Sequence, residues 1–262
     1  MILHGQTVSH CSVANIGTSR KFAQSSESLP LFLHWLRCFS DIVSVILNAA
    51  AQACRACPID QHATQAVCGE GPSRARVMVM GEQPGNQEDL RGRPLVGPSG
   101  QLFDRALADL GWDRASLFIT NALKHFKYEP RGKRRMHKAP SQHEAVACLH
   151  WLESKIDLVK PEAIIALGAT CASSLLGRKV AVMSERGQWF SRSDRLQMLV
   201  TLHPAALLRM PQDEQASAYT AWLKDLAQAT GRVAPGAAQT LLEMPQAAEK
   251  PENAVFGSKI GL

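Results

Sequence analysis

From residue 76 onward the chain alternates short β-rich runs with helical stretches, and this alternation limits the possible folds more than any other feature. The runs are RVMVM (76–80), LFITNALK (117–124), EAIIALG (162–168) and LQMLVTLHP (196–204). Most are separated by helical patterns, so the expected fold class is α/β, with a four-stranded parallel sheet covered on both faces. The punctuation of the helices agrees with this. Ser99 is placed to cap a helix ending at Gly111, and Ser141 with Glu144 forms an S-x-x-E capping box for a helix running to about Val159, before Pro161. In open sheets of this kind ligands sit beyond the carboxyl ends of the strands. Four loops are therefore the place to look: GEQPGNQED (81–89), TNALKH (120–125), LGATC (167–171) and LHPAALLR (202–209).

These loops carry groups able to act on a bound molecule. Glu82 stands where the first strand leaves the sheet, between Gly81 and Gly85, whose missing side chains let a substrate approach closely. A carboxylate there can steady a developing cation, although a solvated glutamate in a plain turn would look the same. Asn121 ends the second strand and can donate and accept at once, as reading the edge of an amide-like base requires. His203 ends the fourth strand and can hydrogen-bond an oxygen on a leaving group.

Between the second strand and the next helix lies RGKRRMHKAP (131–140), in which six of ten residues are Lys, Arg or His. The wider segment from Lys124 to Lys138 holds seven Lys or Arg against one Glu, with Phe126 and Tyr128 interleaved. Read as a loop, it suits single-stranded or distorted nucleic acid, the cations on phosphates and the rings under bases. A solvated charged loop is the plain alternative. The net charge of +6 favours a polyanionic partner.

The seven cysteines are odd in number and irregular in spacing, which favours a reducing compartment and opens the question of metal or cluster ligation. Cys54 and Cys57 form a C-x-x-C pair that can meet one metal or cluster; no strand pattern precedes it, as a redox pair would normally have. Cys148 and His125 can approach the pair in a packed domain, with Cys68 and Cys171 as rivals, and Cys171 suits a buried apolar role better. The apolar run from Leu29 is interrupted by His34, Arg37 and Asp41 and reads as an amphipathic helix rather than a membrane span. Residues 1–28 read as a disordered extension, a poor transit-like segment or the product of a start codon placed too far upstream. Residues 29–230 form the expected domain, with a helix over about 211–229, and residues 231–262 a disordered tail.

Taken together, CRAC, GEGP, GEQPGNQED, GRPLVGPSGQLFD, FITNALKHF, KRRMH, CLHWL, ALGATCA and TLHPAALLR resemble the iron–sulfur branch of the uracil-DNA glycosylase superfamily. GEQPG and KRRMH look more narrowly like its UdgX-type enzymes, which cross-link themselves to uracil-containing DNA, and the likeness runs from about Cys54 to Arg209. The resemblance implies a three-layer α/β/α sandwich around a four-stranded parallel sheet. It places Glu82 and Gln83 in the first catalytic motif, Asn121 on uracil, His203 near the leaving base and His137 as the nucleophile that captures the sugar. Arg134 and Arg135 beside His137 would oppose a further positive charge on it. Gly81, Gly85 and Leu95 would line the base site, Leu95 standing where the family usually has a stacking Phe, and Ala205 replaces the usual serine of the last motif. Lys133, Arg134, Arg135, Lys138 and Arg209 would hold DNA. A 4Fe–4S cluster is implied on Cys54, Cys57, Cys148 and His125, with Cys68 in reserve. The implied protein is a monomer of a bacterial cytoplasm, drawn to the nucleoid by uracil-containing, preferably single-stranded DNA, with no membrane partner. Two other readings of the resemblance are a turnover glycosylase that lets water finish the reaction and an iron–sulfur single-strand-binding protein impaired in catalysis.

Overall fold

In the computed structural model of the protein, residues 28–233 are described, so the expected extensions lie outside the described residues apart from Ser28 and residues 231–233. The chain runs α1 (Ser28–Gln52), β1 (Val77–Gly81), α2 (Asn86–Arg91), α3 (Pro98–Asp109), β2 (Phe118–Asn121), β3 (Tyr128–Arg131), β4 (Arg134–His137), α4 (Gln142–Val159) and β5 (Ala163–Leu167). It continues through α5 (Ala169–Leu176), α6 (Val182–Glu185), β6 (Gln188–Ser191), β7 (Gln197–Thr201), α7 (Pro204–Leu208), α8 (Gln212–Ala227) and α9 (Thr230–Val233).

The central sheet has the order β2-β1-β5-β7-β6. The four strands expected from the sequence are mutually parallel, while β6 adds a fifth, antiparallel to β7 at one edge. Its segment QWFS is short and half-buried, and the connection RSDRL (192–196) turns at Arg195, with φ +69°, without a glycine to announce it. This is why the hairpin left no legible signal.

The apolar pattern of the parallel strands explains the layering. Met78, Met80, Phe118, Ile164, Ala166, Met198 and Val200 face one layer of helices, joined by Cys148, Leu152 and Ile156 of α4 and Cys171 and Leu175 of α5. The alternate residues Val77, Val79, Ile119, Ile165, Leu167 and Leu199 face the other, with Phe103 and Leu107 of α3 and Trp222 and Leu226 of α8. Both faces are dry, as a parallel sheet requires. Trp222 is fully buried, worth about 3 kcal/mol for a side chain of this size, and its Nε1 donates to the Leu202 carbonyl at 3.0 Å. That bond fixes the segment just before His203.

The Ser141–Glu144 capping box forms as expected: the Glu144 N–H donates to Ser141 Oγ at 3.3 Å and the Ser141 N–H to Glu144 Oε2 at 2.6 Å. Ser99 does not cap α3. Pro98 takes the first helical position, which suits its fixed φ, and the N-cap is Gly97, whose N–H donates to Glu88 Oε1 at 3.0 Å. Helix α1 packs on α4, where Lys155 Nζ donates to Asn48 Oδ1 at 2.7 Å. Among the described residues no helix is long and apolar enough to cross a membrane.

Candidate active site

The carboxyl ends of β1, β2, β5 and β7 open into one cleft of about 470 Å³, lined among others by Glu82, Gln83, Leu95, Asn121, His137 and His203. Gly85 and Arg209 also border it. The floor is set by strand register. Gly81 pairs with Asn121 across β1 and β2, and a Cβ on Gly81 would stand 2.4 Å from Asn121 Oδ1 and 3.4 Å from His203 Nε2. Only glycine leaves room for both side chains beside the strand. Asn121 is 2% exposed, and its side-chain amide makes no hydrogen bond among the described residues.

His203 caps α7, and its Nδ1 accepts the Ala205 N–H at 3.1 Å. The neutral ring therefore carries its proton on Nε2, the nitrogen near Gly81 and Asn121. Burial pushes the His203 pKa down to about 4, with Arg209 and His137 adding to the effect and Glu82 opposing it. Near pH 7 this is a neutral donor aimed into the cleft. The Ala205 backbone sets that tautomer, so it does not depend on the residue's side chain.

Above this floor Glu82 is held at both oxygens: Thr170 Oγ1 donates to Oε2 at 2.6 Å, and His137 Nε2 lies 3.4 Å from Oε1. Burial works to raise the Glu82 carboxyl, but bonds to His137 and Thr170 and the nearby His137 and His203 rings outweigh it and leave it below the usual carboxylate range. Gln83 is oriented by its surroundings. Its Oε1 accepts the Lys127 N–H at 3.1 Å, so its amide nitrogen donates to the Lys138 carbonyl at 3.0 Å and contacts His137 Nε2 at 2.8 Å. His137 Nε2 thus stands between the Gln83 amide and the Glu82 carboxylate: with the ring proton on Nδ1 it presents a lone pair, and with the proton on Nε2 it donates to Glu82.

The basic segment is a two-stranded antiparallel hairpin, where a loop was expected. Tyr128 pairs with His137 and Arg131 with Arg134. Gly132 makes the turn at φ +59°, a backbone shape natural to glycine. Polar residues on both strands hid the β pattern. Several of its expected DNA contacts are otherwise engaged. Phe126 is 1% exposed and stacks on Tyr128 with centroids 5.2 Å apart, so it offers no face to a base. Arg135 lies over both rings, pairs with the buried Asp89 at 2.6 Å and donates to Asn86 Oδ1 at 2.7 Å. Its charge is answered, and it ties the hairpin to α2. Lys124 is buried, Lys127 pairs with Glu144 and Lys138 with Glu129. Arg131, Lys133 and Arg134 are exposed, with no carboxylate at ion-pair distance among the described residues.

Comparison with known proteins meets this geometry. Residues 68–227 match the family model described as the uracil DNA glycosylase superfamily. The chain belongs to that superfamily. It is similar to the type-4 uracil-DNA glycosylase of Pyrobaculum aerophilum, 37% identical over 172 residues, covering 63% of this chain and 84% of the relative. The corresponding protein of Thermotoga maritima is 35% identical over 170 residues, covering 64% and 85%. The α/β fold of the uracil DNA glycosylase superfamily is thus shared, with five strands here instead of the four expected.

The resemblance implies an iron–sulfur cluster on Cys54, Cys57, Cys148 and His125. Cys54, Cys57 and Cys148 are free thiols, and burial raises the Cys148 thiol while Cys57 and Cys54 add to the rise, which puts the three within electrostatic reach of one another. His125 is 5% exposed; burial lowers it, and its charged neighbours are Asp60, Arg55 and Asp89. Among the described residues no three His, Cys, Asp or Glu side chains gather as they would around one metal ion. The chemistry of the donor set, three thiols and an imidazole, is that of a cluster site. Cys68 lies apart, packed with Ala51 and Ala66, and burial raises its thiol against the lowering charges of Lys124 and Lys155. Cys171 is fully buried in the core beside α4.

Two site residues were missed from sequence. Thr170 hides in the small-residue helix ATCASSLL, and Lys124 in the basic run. Lys124 is 1% exposed, and its ammonium donates to the Asn121 carbonyl at 2.7 Å and Thr120 Oγ1 at 3.0 Å. Burial pushes its pKa down to about 8, despite the opposing pull of the Cys148 and Cys68 thiols. Its position four residues after Thr120, at the end of an apolar strand, was the available signal.

Proposed function

We propose that the protein is a uracil-DNA glycosylase that removes uracil from DNA, preferably single-stranded, and is captured on the resulting abasic site through His137. The observation that carries this reading is the ring of His137 standing 3.4 Å from Glu82 in the same cleft as Asn121 and His203. A single strand suits it because flipping a base out of a duplex costs a few kcal/mol more, and the three uncommitted cations of the hairpin can hold phosphates without reading a duplex shape.

In this mechanism the Asn121 amide pairs with the uracil edge and His203 Nε2–H donates to a uracil oxygen. The glycosidic bond breaks with its electron pair passing to the base, and positive charge develops on the sugar carbon. Glu82 steadies that charge. His137 then gives its lone pair to the sugar carbon, exchanging the Gln83 contact for a covalent N–C bond, and the resulting ring charge lies beside the Glu82 carboxylate. Leu95 closes the pocket with an aliphatic side chain. Cys54, Cys57, Cys148 and His125 would hold a 4Fe–4S cluster, which when bound cross-links the segment before β1 to α4 and the end of β2.

Incubation with uracil-containing single-stranded DNA followed by a denaturing gel tests the reading. A heat- and detergent-resistant shifted band, mapped to His137 by peptide mass and lost in His137→Ser, is expected. Free uracil with abasic DNA and no adduct would leave a turnover glycosylase; binding with neither product would leave a single-strand-binding protein.

A further inference from the structure

Leu95 is held in a backbone conformation that leucine rarely adopts. Its φ is +49°, in the left-handed region, and its side chain is 4% exposed while lining the cleft. Such a conformation persists only where the surroundings over-determine it. Two neighbours do so. On one side Gly100, in the first turn of α3, is pressed so close that a Cβ there would fall 1.9 Å from the Leu95 carbonyl oxygen. On the other, Arg114 reaches across from the segment before β2. Its Nη2 donates to the Pro94 carbonyl at 3.0 Å and lies 3.4 Å from the Leu95 carbonyl.

The guanidinium is itself fixed. Nη1 donates to Asp104 Oδ1 at 2.6 Å and Nη2 to Glu70 Oε1 at 3.1 Å, and Glu70 is shared with Arg93 at 2.7 Å. Burial works to raise the Glu70 carboxyl, but the two arginines hold it below the usual range, so the anchor stays charged. Arg114 does not line the cleft. Its planar fork is the one group here that can serve two carboxylates and a pair of consecutive carbonyls together.

We infer that Arg114 is a positioning residue for base recognition: it clamps the Pro94–Leu95 backbone so that the leucine side chain is set against the bound base. The inference rests on the reading of the cleft as a uracil site. Leucine offers a base a smaller contact than an aromatic face, so its contribution depends on where the backbone puts it. Released from Arg114, the segment can relax toward negative φ and carry the side chain off the base.

The test is inhibition of the full-length protein by free uracil, measured alongside affinity for uracil-free single-stranded DNA and the thermal midpoint. Arg114→Lys keeps a cation between Glu70 and Asp104 but cannot span both the carboxylates and the carbonyls. It is expected to raise the uracil inhibition constant about tenfold, as loss of a small apolar contact does, with DNA affinity within about twofold. In a Leu95→Gly background, where glycine adopts positive φ freely and has no side chain to place, Arg114→Lys should add nothing. Uracil inhibition unchanged in Arg114→Lys, or the same tenfold loss repeated in the Leu95→Gly background, overturns the inference. Should Arg114→Lys fold poorly, Glu70→Gln loosens the same clamp from outside and must move uracil inhibition in the same direction or the inference falls. If the wild-type protein neither binds uracil nor excises it, the uracil reading itself fails; if it does both and Arg114→Lys matches it, only the clamp fails.

Discussion

The cleft has a floor and a flap, and they are built by different physics. The floor, with Gly81, Asn121 and His203, lies at the ends of strands dry on both faces, and its geometry follows from sheet register and packing. The flap, the hairpin of β3 and β4, is mostly exposed and is held by polar contacts: Arg135 to Asp89, Gln83 to Lys127 and Lys138, and Lys127 to Glu144. A floor set by packing resists small changes and fails abruptly. A flap pinned by a few polar contacts can be detached one contact at a time.

The largest separation of the two should come from Arg135→Ala. It leaves the Asp89 carboxylate, 0% exposed, without its cation, at a cost of about 3 kcal/mol when a buried pair is broken on one side. A denaturant melt should show the loss, while the salt dependence of DNA binding stays nearly unchanged because this guanidinium is turned inward. A salt slope reduced by a full phosphate contact would instead return Arg135 to the DNA-binding set. On the floor, Gly81→Ala drives a methyl against Asn121 Oδ1 and should lower uracil excision about 100-fold, the penalty for misplacing a positioned group by an ångström. Its melting point should move little, and equal loss of both would mean the floor had collapsed.

Between floor and flap stands Thr170. Thr170→Val removes a hydrogen bond to a charged group and should slow excision about tenfold, with Thr170→Ser restoring it. Thr170 helps hold the Glu82 carboxyl low, so its loss raises that group and the acid limb of the pH profile should move upward. The other groups facing Glu82, namely His137, His203 and the Cys171 thiol, are retained in the variant.

A smaller effect separates the floor by pH alone. His203 is neutral when folded down to about pH 4, whereas an unfolded histidine takes up its proton near 6.5. Above 6.5 neither state is charged and the group contributes nothing. Between 6.5 and 4 the unfolded state binds the extra proton, so stability falls as pH falls. His203→Gln should flatten that part of the stability curve, and an unchanged slope would assign it elsewhere. Least of all, Lys133→Ala at the flap tip should leave stability intact and reduce the salt slope of DNA binding by about one.

What could be read from sequence follows the same division. Periodicity showed the parallel strands because burial on both faces writes continuous apolar runs, and Glu82, Asn121 and His203 follow those runs directly. The flap was legible as charge but not as structure. Tyr128–Arg131 and Arg134–His137 carry no apolar alternation, since the contacts that hold them are made to residues up to 71 positions away, as between Arg135 and Thr64. Phe126 and Tyr128 looked like a base-stacking platform because composition cannot tell an exposed ring from one turned inward onto Arg135. Thr170 and Arg114 were silent for a related reason: each acts through another residue, and neither residue type is unusual where it stands.

The tight turn at Gly132 and Lys133 has an arithmetic consequence. Successive side chains on a strand point to opposite sides. Arg135 and His137 share the side of β4 from which Asp89 and Gln83 are reached, and Met136 between them takes the opposite side. Which group meets Glu82 is therefore a matter of odd and even counting from Arg135. Loss of Met136, or one uncharged residue inserted between Arg135 and His137, would shift the histidine to the opposite side while leaving the charge of the flap unchanged. Chemistry on this flap is guarded by parity as much as by residue identity, so its length should tolerate change only in steps of two.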